Sequence, residues 1–275
     1  MASVINTNIN SLNTQRNLSA SQSSLATSMQ RLSSGMRVNS AKDDAAGLAI
    51  ATKMDSQVRG MNVAIRNSND AISFAQTAEG GLSKISDSLQ RMRELAVQAK
   101  NGTNTTGDQA NLDTEYQELA KEVTRVSGNT NFNGVNTLKG GAKDFQVGTA
   151  NAAGDKITIT GTDMTAQADL TASTGGSITD AAAASTAIDN IDKALTAVTK
   201  ERSIYGASQN RFEAVISNLQ VSAENQSAAK SRIMDTDFAA ETANLSRANI
   251  LQQAGTAMLA QANSSPNGVL ALLRG

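Results

Sequence analysis

Apolar residues recur at spacings of three and four along most of this chain, which is the pattern of helices that pack along one another. The single proline is Pro266, so the strongest helix breaker is absent from everything that precedes it. Together these two features predict a mainly α fold in which long helices form a bundle or a coiled coil.

Four stretches carry the periodic pattern: residues 25–36, 72–99, 112–126 and 188–219. Polar residues interrupt the second stretch at Glu79 and the fourth at Arg202 and Gln209. The large apolar residues of these two stretches favour packing inside one molecule, although an oligomeric coiled coil, or both together, fits the same pattern.

The two ends of the chain have a thinner supply of large apolar residues. Ile5, Ile9 and Leu12 continue the first stretch toward the N-terminus after a break in phase. The C-terminal stretch is built mostly on alanine, with Leu251 and Met258 as its larger members. Because an isolated helix is marginal without a packed apolar face, we expect the terminal helices to pack on each other or on neighbouring molecules.

The middle of the chain predicts a small β-hairpin. Residues 144–148 and 156–160 alternate polar and apolar with a period of two, and a glycine-containing loop separates them. Asn131–Gly134 carries an Asn-Gly turn signal just upstream. Residues 161–187 are rich in Thr, Ala, Ser and Gly with little periodicity, and we interpret them as a surface loop that leads into the fourth helical stretch.

A boundary between two helices is predicted around residues 36–39. Gly35 is placed to end the first helix, and Ser40 resembles an N-cap with acidic Asp43 at the third helical position. Asp43 and Asp44 could also form a paired-carboxylate acid-base site. Their position in a first helical turn favours capping, since carboxylates stabilise the positive end of a helix dipole.

Composition excludes several classes of function. The chain of 275 residues has no His and no Cys, which removes imidazole bases, thiol nucleophiles, ordinary zinc sites and disulfides. No glycine pair is followed by Lys-Ser or Lys-Thr, so no phosphate-binding loop is present. We therefore predict that the protein is not an enzyme and uses no cofactor.

Charge and hydropathy exclude two kinds of partner. The net charge is -1 and the basic residues are scattered, so nucleic acid is not an expected partner. No stretch reaches the roughly 18 to 20 apolar residues of a membrane helix, and the N-terminus has no pattern of a cleaved signal peptide. The sequence predicts a protein that stays in the cytoplasm or leaves it without a cleavable signal.

Several segments at both ends of the chain resemble bacterial flagellin. The matching segments are Ile5–Asn8, Arg31–Ile50, Gln90–Val97, Asn131–Gly134, Arg211–Phe212, Ser231–Phe238 and Val269–Arg274. The resemblance covers about residues 1–140 and 185–275, and residues 141–187 are too few for the extra outer domains of longer flagellins. The chain is thus identified as similar to a short, near-minimal flagellin.

The resemblance implies a structural protein that self-assembles into the filament of the bacterial flagellum. It implies a terminal coiled-coil domain from residues 1–40 and 231–275, and an outer helical domain from residues 41–230 with the hairpin at about 144–160. The assembly helices would carry Ile5, Ile9, Leu12, Leu251 and Met258. The alternative is a related hook–filament junction protein, which assembles in small numbers.

The resemblance also implies a location and a set of partners. The subunit would be secreted through the flagellar type III apparatus without signal cleavage, and would end in the extracellular filament. An export chaperone would hold about residues 240–275, and the filament cap and hook-associated proteins would contact the polymer. A host Toll-like receptor would contact the positions that match the family's contact residues, Arg91, Leu95 and Glu118.

Overall fold

A computed structural model describes residues 7–150 and 152–272, without the side chains of 153 and 266–272, so the predicted assembly residue Ile5 lies outside the described residues. The helices are α1 (Ile9–Ser34), α2 (Ala45–Ala99), α3 (Thr106–Asn129), α4 (Ala168–Thr174), α5 (Ala181–Met234) and α6 (Phe238–Leu272). The strands are β1 (Asn131–Phe132), β2 (Val135–Asn136), β3 (Lys139–Gln146) and β4 (Lys156–Asp163). The prediction of a mainly α chain with a small hairpin is confirmed.

The chain forms two compact units. The terminal unit consists of Met1–Ser56 with Asn225–Gly275, and the central unit is Gln57–Glu224. Helices α2 and α5 each supply residues to both units, because each runs through a unit boundary without a break. No helix in the described part of the chain is both long and apolar enough to cross a lipid bilayer.

The core of the central unit is built from the predicted apolar stretches. α2 supplies Leu82, Ile85, Leu89 and Met92, all fully buried, and α5 and α3 pack against the same cluster. Further members of this core are Tyr116, Val123, Ile191, Val198, Tyr205 and Phe212. These stretches therefore pack inside one molecule, as their large apolar residues predicted.

The polar interruptions of the two longest stretches meet one another at a partly exposed edge of the contact between α2 and α5. Arg202 Nη2 lies 3.6 Å from Glu79 Oε1, and Gln209 Nε2 donates to Glu79 Oε2 at 3.2 Å. All three residues break an apolar stripe at the position where the partner stripe is also broken. The carboxylate of Glu79 is therefore paired with both polar side chains of α5 where α2 faces α5.

The turn between α1 and α2 differs from the prediction at one residue. Gly35 ends α1 with a left-handed backbone, φ 71°, as expected of a helix stop. The predicted N-cap at Ser40 is wrong, because α2 begins only at Ala45 and Asp44 Oδ1 accepts the Gly47 N–H at 2.8 Å. Asp43 instead closes the preceding turn by accepting the Ser40 N–H and hydroxyl, and these bonds lower the pKa of Asp43.

The two β-pairs confirm the hairpin and turn predictions and lengthen the hairpin. β3 and β4 pair antiparallel from Lys139↔Asp163 to Gln146↔Lys156, so both strands extend beyond the alternating segments. β1 and β2 pair across a two-residue turn in which Asn133 has φ 49° and Gly134 has φ 77°. Positive φ at both central residues is the reason that Asn-Gly is favoured in such turns.

The interpretation of residues 161–187 as a surface loop is wrong for much of that range. β4 continues to Asp163, α4 occupies Ala168–Thr174, and α5 begins at Ala181. Leu170 and Ile178 are buried in the core. Periodicity missed this segment because its apolar anchors are single residues widely spaced along an irregular path, and each is held by long-range contacts that the local sequence does not show.

Candidate functional site

α1 and α6 form an antiparallel helix pair in the terminal unit. Near one end, Asn8 Nδ2 donates to the Ala262 carbonyl at 2.7 Å, and the Ser11 hydroxyl donates to Asn263 Oδ1 at 2.7 Å. Near the other end, Arg31 Nη1 lies 3.8 Å from Glu241 Oε2. The expectation that the terminal helices pair with each other is confirmed.

Backbone hydrogen bonds join the two chain segments at the end of the pair where α1 ends and α6 begins. The Arg37 N–H donates to the Met234 carbonyl at 2.6 Å, and the Thr236 N–H donates to the Gly35 carbonyl at 2.9 Å. The Arg37 guanidinium also donates to the Ile233 carbonyl at 2.7 Å. These bonds join the segment between α1 and α2 to the segment between α5 and α6, both within the terminal unit.

The contact between α1 and α6 buries small and polar side chains. Ser11 and Ser28 of α1, with Glu241 and Ala248 of α6, are buried. A groove of about 520 Å³ runs between the two helices, and its lining includes five Ser and Thr residues of α1 together with Arg31, Glu241, Arg247 and Leu251. Small residues let the two backbones approach, but this contact hides little of the large apolar surface that the helices carry.

Several large apolar side chains of these two helices are exposed to solvent. Among the described residues, eight of the twelve exposed large hydrophobic side chains belong to the terminal unit, although it is the smaller of the two. Ile9 is 63 % and Met258 is 62 % exposed, and Leu12 and Leu251 are each 51 % exposed. We call six exposed residues of the two helices the terminal apolar set: Ile9, Leu12, Met29, Ile250, Leu251 and Met258.

The predicted receptor residues lie on α2 and α3 of the central unit. Arg91 donates from Nη2 to Glu115 Oε1 at 2.8 Å and from Nη1 to Glu94 Oε2 at 3.1 Å, and the bond to Glu115 is the main cause of its raised pKa. Glu118 follows Glu115 by about one helical turn, is exposed, and pairs with Lys121 at 2.7 Å. The fold thus brings Arg91 to the α3 side that also carries Glu118.

Leu95 differs from the other two, because its side chain is only 1 % exposed and belongs to the core cluster. Leu95 therefore lies outside the accessible surface to which Arg91 contributes. They are separated by one helical turn, but the long guanidinium reaches out to α3 while the shorter Leu95 side chain packs inward. A direct receptor contact remains a prediction for Arg91 and Glu118, whereas Leu95 can act only by supporting the surface.

Sequence analysis missed one buried polar contact in the central unit. Glu201 is 1 % exposed, and its Oε1 accepts the Thr162 N–H at 2.9 Å, which attaches β4 to α5. Burial raises the pKa of the Glu201 carboxyl. The available signal was positional, because Glu201 follows buried Val198 by three residues and precedes buried Tyr205 by four, which places it on the apolar stripe.

The described residues offer no cluster of three or more side chains suited to holding a metal ion. What they offer is an exposed apolar set on a self-paired helical unit, joined to a well-packed helical core. This combination of fold and surface defines a helical subunit built for association with other protein surfaces.

Comparison with known families agrees with this class. Residues 5–143 match the bacterial flagellin N-terminal helical region, and residues 188–273 match the bacterial flagellin C-terminal helical region. The chain belongs to the bacterial flagellin family. Family membership gives it a structural role in the flagellar filament.

Individual relatives agree over nearly the whole chain. A flagellin of Halalkalibacterium halodurans is 46 % identical over 98 % of this chain and 100 % of its own. A flagellar filament core protein of Brachyspira hyodysenteriae is 42 % identical with the same coverage. The crystal structure of Bacillus cereus flagellin shares 35 % identity at a TM-score of 0.50, and the match covers 60 % of this chain and 94 % of that one.

Proposed function

We propose that the terminal apolar set is the surface through which one subunit packs against its neighbours in the flagellar filament. The observation that carries the proposal is the reversed burial of the terminal unit, in which serines and a glutamate are covered while Ile9, Leu251 and Met258 are not. A helix pair of this kind gains stability when a second copy covers its apolar side chains.

The distribution of the terminal apolar set over two helices suits the kind of contact that builds a filament. A filament requires a contact between two different patches of the subunit, repeated without closing into a ring. The terminal apolar set supplies residues on both helices, so one helix of a subunit can pack against the other helix of the next. The extent of polymerisation distinguishes this function from the alternative, a hook–filament junction protein, because a junction protein stops assembling after a small number of copies.

The proposed route and partners extend this function. The subunit is exported through the flagellar type III apparatus and forms the extracellular filament, and a chain without cysteines can be threaded without breaking disulfides. An export chaperone holds residues from about 240 onward. This segment includes Leu251 and Met258, which the chaperone keeps covered before assembly. The filament cap and hook-associated proteins meet the polymer at its ends, and a host Toll-like receptor contacts the Arg91 and Glu118 surface.

The test is seeded polymerisation of the purified full-length chain, followed by sedimentation and negative-stain microscopy. Leu251→Asp should raise the critical concentration at least about tenfold, because a carboxylate replaces an apolar contact of roughly 1.5–3 kcal/mol. Val97→Asp is the matched control, since Val97 of the central unit is also an aliphatic side chain 51 % exposed on a helix.

Long uniform filaments from the unmodified chain, with Leu251→Asp impaired and Val97→Asp unimpaired, support the proposal. Equal growth of all three proteins shows that the terminal apolar set is not the contact surface. Short, self-limited oligomers from the unmodified chain in the presence of active seeds support the junction alternative.

A further inference from the structure

Two methionines of the terminal apolar set are far more accessible than the methionines of the core. Met29 on α1 is 57 % and Met258 on α6 is 62 % exposed. Met61, Met92 and Met164 of the central unit are at most 5 % exposed. The same chain therefore holds a reactive and a protected class of thioether, since oxidation of methionine requires access of the oxidant to the sulfur.

The chemistry at these sulfurs is a two-electron oxygen transfer. A hydroperoxide such as hydrogen peroxide gives one oxygen atom to the thioether, the sulfur becomes a sulfoxide, and the peroxide is reduced to water. The chain contains no cysteine to consume the oxidant first. The sulfoxide is polar and accepts hydrogen bonds, so a side chain that was suited to an apolar contact becomes unsuited to one.

We propose that Met29 and Met258 are a reversible oxidation site that controls polymerisation, with peroxide disabling the free subunit and methionine sulfoxide reductases restoring it at the expense of a dithiol reductant, which is oxidised to a disulfide as the sulfoxide oxygen leaves as water. This inference rests on the proposed function, because the terminal apolar set must be the contact surface for its oxidation to block growth. Two sulfurs on opposite helices of the pair make the effect cumulative, since each oxidised side chain places an uncompensated polar group in the contact.

Assembly should also protect the site. In the free subunit both thioethers face solvent, whereas in the filament a neighbouring copy covers them. The oxidation rate of Met29 and Met258 should therefore fall at least about tenfold on polymerisation, while the rates of Met92 and Met164 should be low in both states.

The experiment treats full-length subunits with a graded dose of hydrogen peroxide, locates sulfoxides by peptide mass spectrometry, and then measures seeded growth. Oxidation at Met29 and Met258 should raise the critical concentration about tenfold or more. Treatment with both MsrA and MsrB and an excess of a dithiol reductant should restore growth, because each enzyme reduces one sulfoxide epimer. The double variant Met29→Leu/Met258→Leu keeps the apolar volume and should grow normally both before and after peroxide.

Three outcomes overturn the inference. Equal growth of untreated subunits and of subunits with sulfoxide verified at both positions refutes this inference and leaves the proposed function standing. Peroxide that inhibits the double leucine variant as strongly as the parent shows that other sites are responsible. Failure of untreated parent subunits to grow on active seeds refutes the proposed function itself, and the inference with it.

Discussion

Two adjacent glycines in α2 show how differently neighbouring residues can be constrained. Gly80 faces open space, and a β-carbon added there would meet no atom within 4 Å apart from its chain neighbours and the backbone of its own helix. A β-carbon on Gly81 would lie 2.8 Å from Thr130 Oγ1 and 3.2 Å from Leu138 Cδ1. Thr130 cannot easily retreat, because its hydroxyl is bonded to the Val126 carbonyl at 2.7 Å and its β-branched side chain has few rotamers.

The pair of glycines gives a matched prediction. Gly81→Ala should destabilise the protein by about 1–3 kcal/mol through overpacking. Gly80→Ala should stabilise it by roughly 0.5–1 kcal/mol, because alanine restricts the unfolded chain and suits a helix interior. Chemical unfolding of the two variants beside the parent measures both effects, and a shift of the same sign in both would contradict this account of Gly81.

The only two tyrosines provide a second residue-scale prediction, on pH. Burial raises the pKa of Tyr116 and that of Tyr205 to about 12 each, and their hydroxyls donate to the carbonyls of Ser173 and Thr137. A folded-state pKa above the unfolded value of about 10 means that the fold favours the protonated phenol. This stabilisation is fully present below about pH 10 and is lost as the pH rises through about 12.

Spectroscopic titration of tyrosinate checks that expectation. In the native protein little absorbance change should occur until the pH exceeds the ordinary phenol pKa by more than a unit, and alkaline unfolding should accompany it. In denaturant both phenols should titrate near about 10. Native titration near the ordinary value would mean that the two hydroxyls are not buried and bonded as described.

At the scale of elements, α3 has a start signal that can be removed cleanly. Thr105 Oγ1 accepts the Asp108 N–H at 3.2 Å, while Asp108 Oδ2 accepts the Thr105 N–H at 3.0 Å, which is a complete capping box. The bonds from Thr105 lower the pKa of Asp108. α3 in turn carries Glu115, the partner of Arg91, so its first turn supports the predicted receptor surface.

Thr105→Ala should therefore lower the free energy of unfolding by about 1 kcal/mol, and should return the pKa of Asp108 toward its ordinary value. Thr103→Ala, two residues earlier on the exposed approach to the helix, is the control and should change stability by less than about 0.5 kcal/mol. NMR titration of Asp108 gives the pKa independently of stability. An unchanged Asp108 pKa in Thr105→Ala would show that the capping box does not form in solution.

At the scale of the whole molecule, the two units differ in what they need for stability. The central unit has a continuous core contributed by α2, α3, α5 and the β3–β4 hairpin. The terminal unit buries few large side chains and exposes many. The central unit should therefore fold without the terminal unit, whereas the terminal helices depend on assembly to cover their apolar residues.

A fragment of residues 57–224 tests this division. It should be helical, unfold cooperatively and keep both tyrosine pKa values raised, but it should not add to filament seeds at any practical concentration. Circular dichroism and seeded sedimentation measure the two properties. A fragment that is unfolded, or one that polymerises as the full chain does, would contradict the assignment of folding to one unit and assembly to the other.

The sequence by itself determined the elements and much of their burial. The spacing of apolar residues located the long helices, Gly35 located the end of α1, and Asn133–Gly134 located a tight turn, since each signal depends on residues that are close in sequence. The family motifs at both ends were equally local. For these features, the interactions that determine the structure are made between residues within one helical turn or one hairpin turn.

Only the tertiary structure decided which polar groups meet and which neighbouring side chains turn inward. In the sequence, Glu79, Arg202 and Gln209 are three unrelated polar interruptions of apolar stretches. In the structure they contact one another, because α2 packs against α5. Leu95 lies one turn from exposed Arg91 yet is buried, and Ile178 is buried within a stretch that lacks periodicity. Periodicity predicts that a side chain is buried. It does not predict which residues pack against that side chain, because those residues are distant in sequence.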